Sequence, residues 1–170
     1  TVILEADAVV LAAGWGNAAL TALPLAPVRG QADWAEGVTP APVAWGGYAV
    51  PTGTGLLFGA THERGETEAV VSDVASERNR ATLAARLPGL AGRVGKTQAR
   101  AAVRATTPDR TPLAGALPGP PGLYVLGGLG SRGFCHAPLL AQHLAARITG
   151  APSPLPAALA ARVSPQRFGV

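Results

Sequence analysis

A single cysteine, Cys135, serves all 170 residues, so the chain can build neither a disulfide framework nor a thiolate metal cluster. Charged residues are only 14% of the sequence against 48% hydrophobic ones, which excludes a disordered polyelectrolyte and requires a largely buried chain. The three histidines, His62, His136 and His143, are too scattered for a structural zinc site, and no metal is expected. No apolar run approaches the ~18 residues of a membrane span, and no basic leader precedes an apolar segment. A cytoplasmic location without membrane partners is the expectation. Basic residues outnumber acidic ones by 14 to 10, but all except Lys96 are dispersed arginines, without the K/R-rich run of a nucleic-acid tail.

What the chain has in quantity is glycine and proline, 22 and 16 residues, which implies many turns. The stretch around which the rest is organised is GLYVLGGLGSRGFCHAPLLAQHLAARIT, residues 122 to 149. Leu123 to Leu126 is short and apolar, as a buried strand should be. Gly127, Gly128, Gly130 and Gly133 follow, and Leu139, Leu140, Leu144 and Ile148 then recur at helical spacing. Strand, glycine turn and helix bring the backbone close to a ligand and present helix-start N–H groups that lack intrahelical acceptors. GLGSRG also fits G-x-G-x-x-G, yet no Asp or Glu follows the helix, as a dinucleotide fingerprint would need. Spacing alone therefore serves equally for a tight turn before a packed helix. For Cys135 beside His136, packing at a helix start is a better reading than a nucleophile.

Val9 to Leu11 reads as a buried strand that needs neighbours on both sides, so the chain is expected to begin inside a larger sheet. Asn17 to Leu23 suits a helical turn. Val28 to Trp34 suits a strand with Arg29 and Gln31 on one face. Val43 to Val50 and Leu56 to Ala60 form a hairpin around Pro51 to Gly55, and Thr61 to Thr67 forms a loop. Asp73 is placed to cap a helix whose apolar stripe is Val74, Leu83 and Leu87. A strand over Gln98 to Ala105 runs into the rigid TTPDRTP loop, where Asp109 makes an Asx-turn or pairs with Arg110. Arg104, closing that strand, is suited to gripping a carboxylate bidentately. Leu117 to Gly122 reads as a linker, and the tail from Pro152 as a packing arm with Leu159, Val163 and Phe168.

Four stretches resemble the FAD-dependent oxidoreductases that act on amines, the D-amino-acid-oxidase-like group: ADAVVLAAGWGN, LPLAPVRGQ, GGYAVP with GLLFGATHERG, and VRATTPDRTPLAG with LYVLGGLGSRGFCHAPLLAQHLA. Within the group the last pair is most similar to the oxidase domains of bifunctional bacterial enzymes that complete a thiouridine wobble base of tRNA. The resemblance implies an α/β (α+β) fold, the C-terminal part of an FAD-dependent amine oxidase, without the N-terminal ADP-binding unit. Residues 1–22 would be a remnant of the FAD-binding domain, 23–105 an antiparallel-rich substrate domain, and 106–170 the return to the FAD side. It further implies FAD near Gly14, Arg29, Gly128, Leu129, Gly130, Ser131, Arg132 and Gly133, and a substrate carboxylate held by Tyr48 and Arg104. The implied reaction oxidises the C–N bond of a carboxymethylaminomethyl group on tRNA, with a fused methyltransferase and the missing FAD-binding half as partners. A glycine- or sarcosine-type oxidase, or a non-catalytic piece without flavin, remains open. This piece alone is expected to hold FAD poorly and to be inactive.

Overall fold

Residues 4–169 are described by the computed structural model, so the first three residues of the expected opening remnant lie outside it. In chain order the elements are β1 (Val9–Leu11), α1 (Asn17–Leu20), β2 (Ala26–Glu36), β3 (Val43–Ala44), β4 (Tyr48–Pro51), β5 (Gly55–Gly59), β6 (Glu63–Arg64), α2 (Asp73–Arg86), α3 (Pro88–Ala91), β7 (Thr97–Thr106), β8 (Leu113–Ala116), β9 (Leu123–Gly127), α4 (Gly133–Thr149) and α5 (Ala157–Val163). Short 3-10 turns lie at Gly14–Gly16, Gly130–Arg132 and Pro165–Phe168. The fold is mixed α/β with antiparallel pairing prominent. Two units divide the chain, one of residues up to Pro27 and from Arg104 on, the other Val28–Val103.

In the first unit a three-stranded sheet runs β1-β9-β8, with β1 parallel to β9 and β8 antiparallel to it. Leu117 to Gly122 is thus the turn of a β8–β9 hairpin rather than a linker. Helix α4 packs on this sheet through Leu140 and Leu144, which join Ala114, Leu155 and Val163 in one buried cluster. A second cluster, Leu23, Leu113 and Val125, is completed by Leu11, Leu25 and Phe168. Phe168 is therefore the anchor expected of the tail, whereas Leu159 is exposed. β1 corrects another expectation. Val9 and Val10 are exposed rather than buried: among the described residues β9 is the strand partner of β1, and no layer of this chain covers the two valines.

In the second unit the sheet order is β3-β4-β5-β2-β6, with β7 also pairing with β2. The expected first hairpin strand is broken at Trp45–Gly47 into the short β3 and β4, where Gly46 takes a left-handed φ of 105°. Part of the 61 to 67 loop pairs as β6, setting Glu63 opposite Arg29. Helix α2 starts where expected, but Asp73 lies inside it and Ser72 occupies the capping position without a side-chain cap bond. Its buried face is Ala75, Asn79 and Leu83, while Val74 is exposed. The reason is β2, whose buried Gln31 and Asp33 require polar partners. Ser76 Oγ donates to Asp33, Asn79 Nδ2 donates to Asp33 Oδ2 at 2.6 Å, and Gln31 Nε2 donates to Ser76 Oγ at 2.9 Å.

Candidate functional site

The parallel pair β1 and β9 determines where a ligand can approach the first unit. Its register sets Leu11 beside Val125, and Gly14 and Gly128 each lie three residues beyond that pair. Both glycines take left-handed φ values, 60° and 62°, so two adjacent strands end in matching backbone turns. Ligands of open α/β sheets sit beyond the carboxyl ends of such strands. Asn17, fully buried, ties the first turn down: it accepts from Ala13 N at 3.1 Å and donates to Leu11 O at 3.2 Å.

The second turn is walled by the end of β7. Thr106 forms a backbone bridge with Leu129, and a Cβ on Gly128 would stand 2.9 Å from the Thr107 methyl. Glycine is required at 128 by both conformation and space. By contrast, a Cβ on Gly14 would meet nothing within 4 Å, so that turn opens outward. Leu129, Gly130 and Gly133 are half-buried, Ser131 and Arg132 exposed. Helix α4 then begins without a side-chain cap bond, leaving its first N–H groups to backbone or ligand. Phe134 and Cys135 stand exposed in this first turn.

Arg104 lies within β7, two residues short of its end, and not at the close of the strand as expected. Its Nη1 is buried without a hydrogen-bond partner, as is His136 Nδ1 in α4. A desolvated guanidinium N–H without an acceptor is costly, and an anionic ligand group would satisfy it. The sequence singles out Arg104, whereas it offers His136 only as the neighbour of Cys135, a pairing better read as packing at a helix start.

In the second unit Tyr48 opens β4, half-buried and paired in register with Ala44 and Gly59. Arg29 is buried in β2, and its donors are taken within the same unit. Nε donates to Val70 O at 3.1 Å, Nη1 to the Glu63 carboxylate, and Nη2 to Gln31 Oε1 at 2.8 Å. Glu63 also accepts from exposed Arg78 at 3.1 Å. A cavity of about 330 Å³ in this unit is lined by Asp33, Asp73, Ser76, Glu77, Arg80 and Thr97 and includes none of the candidates.

Asp109, expected to make an Asx-turn or pair with Arg110, does the first but not the second: Oδ1 accepts from Thr111 N at 3.0 Å, and the ion-pair partner is Arg167. Among the described residues no His, Cys, Asp and Glu grouping could hold a metal ion, and no helix is long and apolar enough to cross a membrane.

The residues in place fit a flavin. Two strand ends turn on glycine, which would allow a planar ring system close backbone approach, and an uncapped helix start stands in the same unit.

The family model described as DAO, FAD dependent oxidoreductase, matches residues 1–147. The tRNA 5-methylaminomethyl-2-thiouridine biosynthesis bifunctional protein MnmC of a Caulobacter species is 55% identical over 174 residues, covering 98% of this chain and 29% of that protein. Its namesake in Thiobacillus denitrificans is 43% identical over 190 residues, with the same 98% and 29% coverage. The chain thus spans less than a third of these relatives. Among solved structures, iminodiacetate oxidase from a Chelativorans species superposes with a TM-score of 0.82 at 26% identity, over 95% of this chain and 47% of that one. Glycine oxidase from Geobacillus kaustophilus gives 0.76 at 26% identity, over 89% and 44%.

Proposed function

The chain belongs to the FAD dependent oxidoreductase family, and from that premise we propose that it is part of an enzyme that oxidises the C–N bond of a carboxymethylaminomethyl group on the wobble uridine of tRNA. Loss of two electrons and two protons gives an imine, which water hydrolyses to glyoxylate and the aminomethyl base. Identity of 55% to a tRNA-modifying relative over nearly the whole chain supports the substrate. The observation that carries the chemistry is the buried, unpartnered Nη1 of Arg104 in the unit that holds the glycine turns. The reacting group is a glycine attached to the base through a methylene, and its carboxylate is the acceptor that this N–H lacks.

FAD, when bound, supplies the electron acceptor. The chain's own residues bind and orient. Gly14 and Gly128 to Gly133 would hold the cofactor by backbone approach, with Arg132 near its polar portion. Arg104 fixes the carboxylate, so the α-carbon is presented in one orientation and translational freedom is spent before the reaction. Tyr48 keeps the carboxylate-holding role implied by the resemblance, which Tyr48→Phe tests separately. A tRNA partner, and a methyltransferase in the same protein, accord with the bifunctional relatives and the share of their length left uncovered.

The likeness to iminodiacetate and glycine oxidases favours one other reading, a small carboxylated amine as substrate. The protein containing this chain should be incubated aerobically with tRNA carrying the carboxymethylaminomethyl base, and in parallel with glycine and sarcosine, while glyoxylate is followed. Turnover on the tRNA with little on the free amino acids is expected. The reverse would move the protein to the small-amine oxidases, and absence of flavin absorbance would remove both readings.

A further inference from the structure

The C-terminal 3-10 turn is fastened to the loop that walls the glycine turn through Arg167. Arg167 Nε donates to Asp109 Oδ2 at 2.8 Å and Nη2 to Oδ1 at 3.2 Å, a bidentate grip. Nη2 also donates to Thr111 O at 2.7 Å, and Nη1 to Ser164 O at 3.1 Å. The Arg167 side chain is only 14% exposed, and its guanidinium lies 4.4 Å from the centre of the Phe168 ring. The Asp109 side chain is 40% exposed, so what distinguishes this pairing from an ordinary surface salt bridge is its geometry, fixed by several bonds together around a largely covered guanidinium.

Both ends of the clasp lead to the glycine turn. On the tail side, Phe168 packs with Leu113 and Val125, the latter in the strand that delivers the turn. On the loop side, Thr107 Oγ1 donates to Thr111 O at 2.7 Å, so the carbonyl gripped by Arg167 also holds Thr107. The Thr107 methyl fills the space that a side chain at Gly128 would need, and the Thr106 methyl stands 3.3 Å from the Cβ position of Gly130. Thr106 is itself bridged to Leu129. Displacement of the 107 to 111 loop therefore changes the wall against which Gly128 and Gly130 are shaped.

We propose that Asp109 and Arg167 are a positioning pair: the clasp between the C-terminal turn and the 107 to 111 loop sets the shape of the 128 to 130 turn, and through it the binding and environment of the flavin. The proposal rests on the reading of that turn as the flavin site. Neither residue needs to touch the cofactor.

The test uses the flavin-bound protein containing this chain, with Asp109→Asn, Arg167→Lys and Arg167→Ala. Flavin dissociation constants are measured by fluorescence, the flavin absorption spectrum is recorded, and melting is measured on flavin-free samples. Arg167→Ala should weaken flavin binding about tenfold, the worth of one charge-assisted hydrogen bond, and shift the flavin absorption bands. Arg167→Lys should recover part of both, since it restores charge without the fork. Asp109→Asn preserves the Asx-turn acceptor and nearly the same shape, so it decides the matter if Arg167→Ala fails to fold. Flavin affinity and spectrum unchanged in Asp109→Asn would overturn the proposal. A parent protein that binds no flavin at all would instead overturn the flavin-site reading beneath it.

Discussion

Arg29 and Arg104 lie on the two long strands β2 and β7, and the two regions treat the same side chain in opposite ways. Around Arg29 the polar groups close on themselves: Glu63, Gln31 and Val70 O take its donors, and Gln31 continues to Ser72 and Ser76. Around Arg104 the network is left open, with Nη1 buried and unmatched. A buried polar group costs free energy until it finds a partner. Where the fold provides that partner the residue is holding the sheet, and where the fold withholds it the residue is available to a ligand. Trp45 Nε1, in the second unit, is also buried without a partner, but an indole N–H carries no charge to attract a carboxylate.

The sharpest way to break this comparison is at Arg29. Arg29→Ala leaves Glu63 with only the exposed Arg78 and Gln31 Oε1 with only the Ser72 N–H, and should destabilise the protein by about 2–3 kcal/mol in urea unfolding, the worth of a hydrogen bond to a charged group or somewhat more. Arg104→Ala should do the reverse. It removes an unsatisfied N–H, so the melting temperature should hold or rise. Turnover on the carboxylated amine should fall about 10- to 100-fold, as loss of a hydrogen bond to a charged group would give. A stability loss at Arg104 equal to that at Arg29, with kcat/KM unchanged, would erase the distinction.

The same contrast explains which features could be read from residue order. The strand, glycine turn and helix of β9 and α4 were legible because their signals are local: a short apolar run, then glycines, then leucines at helical spacing. The buried face of α2 was legible only in its second half, where Leu83 is buried and Leu87 packs against the same cluster. Its apolar stripe was read through Val74, yet the sheet selects Ser76 and Asn79, because Asp33 lies some 46 positions away in sequence and takes bonds from both. Polar residues on a helix read as solvated surface until the buried carboxylate opposite them is known. Asp109 was legible in its local half, since the Asx-turn to Thr111 forms, but not in its distant partner. Arg110 was the neighbour in sequence, but it takes a left-handed φ of 56° in the turn, and the partner is Arg167, 58 positions away. Candidate residues were thus found by chemical type and local motif, and their partners only by the fold.

A pair of glycine substitutions sharpens the comparison within the first unit. Gly128→Ala forces a side chain into left-handed backbone and against the Thr107 methyl, so it should cost about 1–3 kcal/mol in the melting of the flavin-free protein. Gly14→Ala has the same φ but open space around it, and should cost only the conformational strain of about 1 kcal/mol. Equal losses at the two positions would show that the wall contributed by Thr107 does not shape the turn.

The smallest expected effects come from pH, and they separate two tethers of the first unit. His143, buried in α4, shares a 2.7 Å hydrogen bond with Ser153 Oγ, which also accepts from Leu155 N at 3.0 Å. Burial holds its pKa below the usual 6.5, with the nearby Arg147 charge acting in the same direction. The folded protein therefore disfavours the imidazolium, while the unfolded chain accepts the proton more readily. This contribution to stability is complete above about pH 6.5 and declines as the pH falls below it. Asp109 behaves oppositely in kind, since it is stabilised as the charged form. The hydrogen bond from Arg167 brings its pKa down from 3.8 to about 2, so its contribution is complete above about pH 4 and is lost as the pH falls toward 2. Urea unfolding from pH 8 to pH 5 should show a decline that His143→Gln flattens and Asp109→Asn leaves in place. Below pH 4 a further decline should set in that Asp109→Asn removes, as the carboxylate gripped by Arg167 takes up its proton.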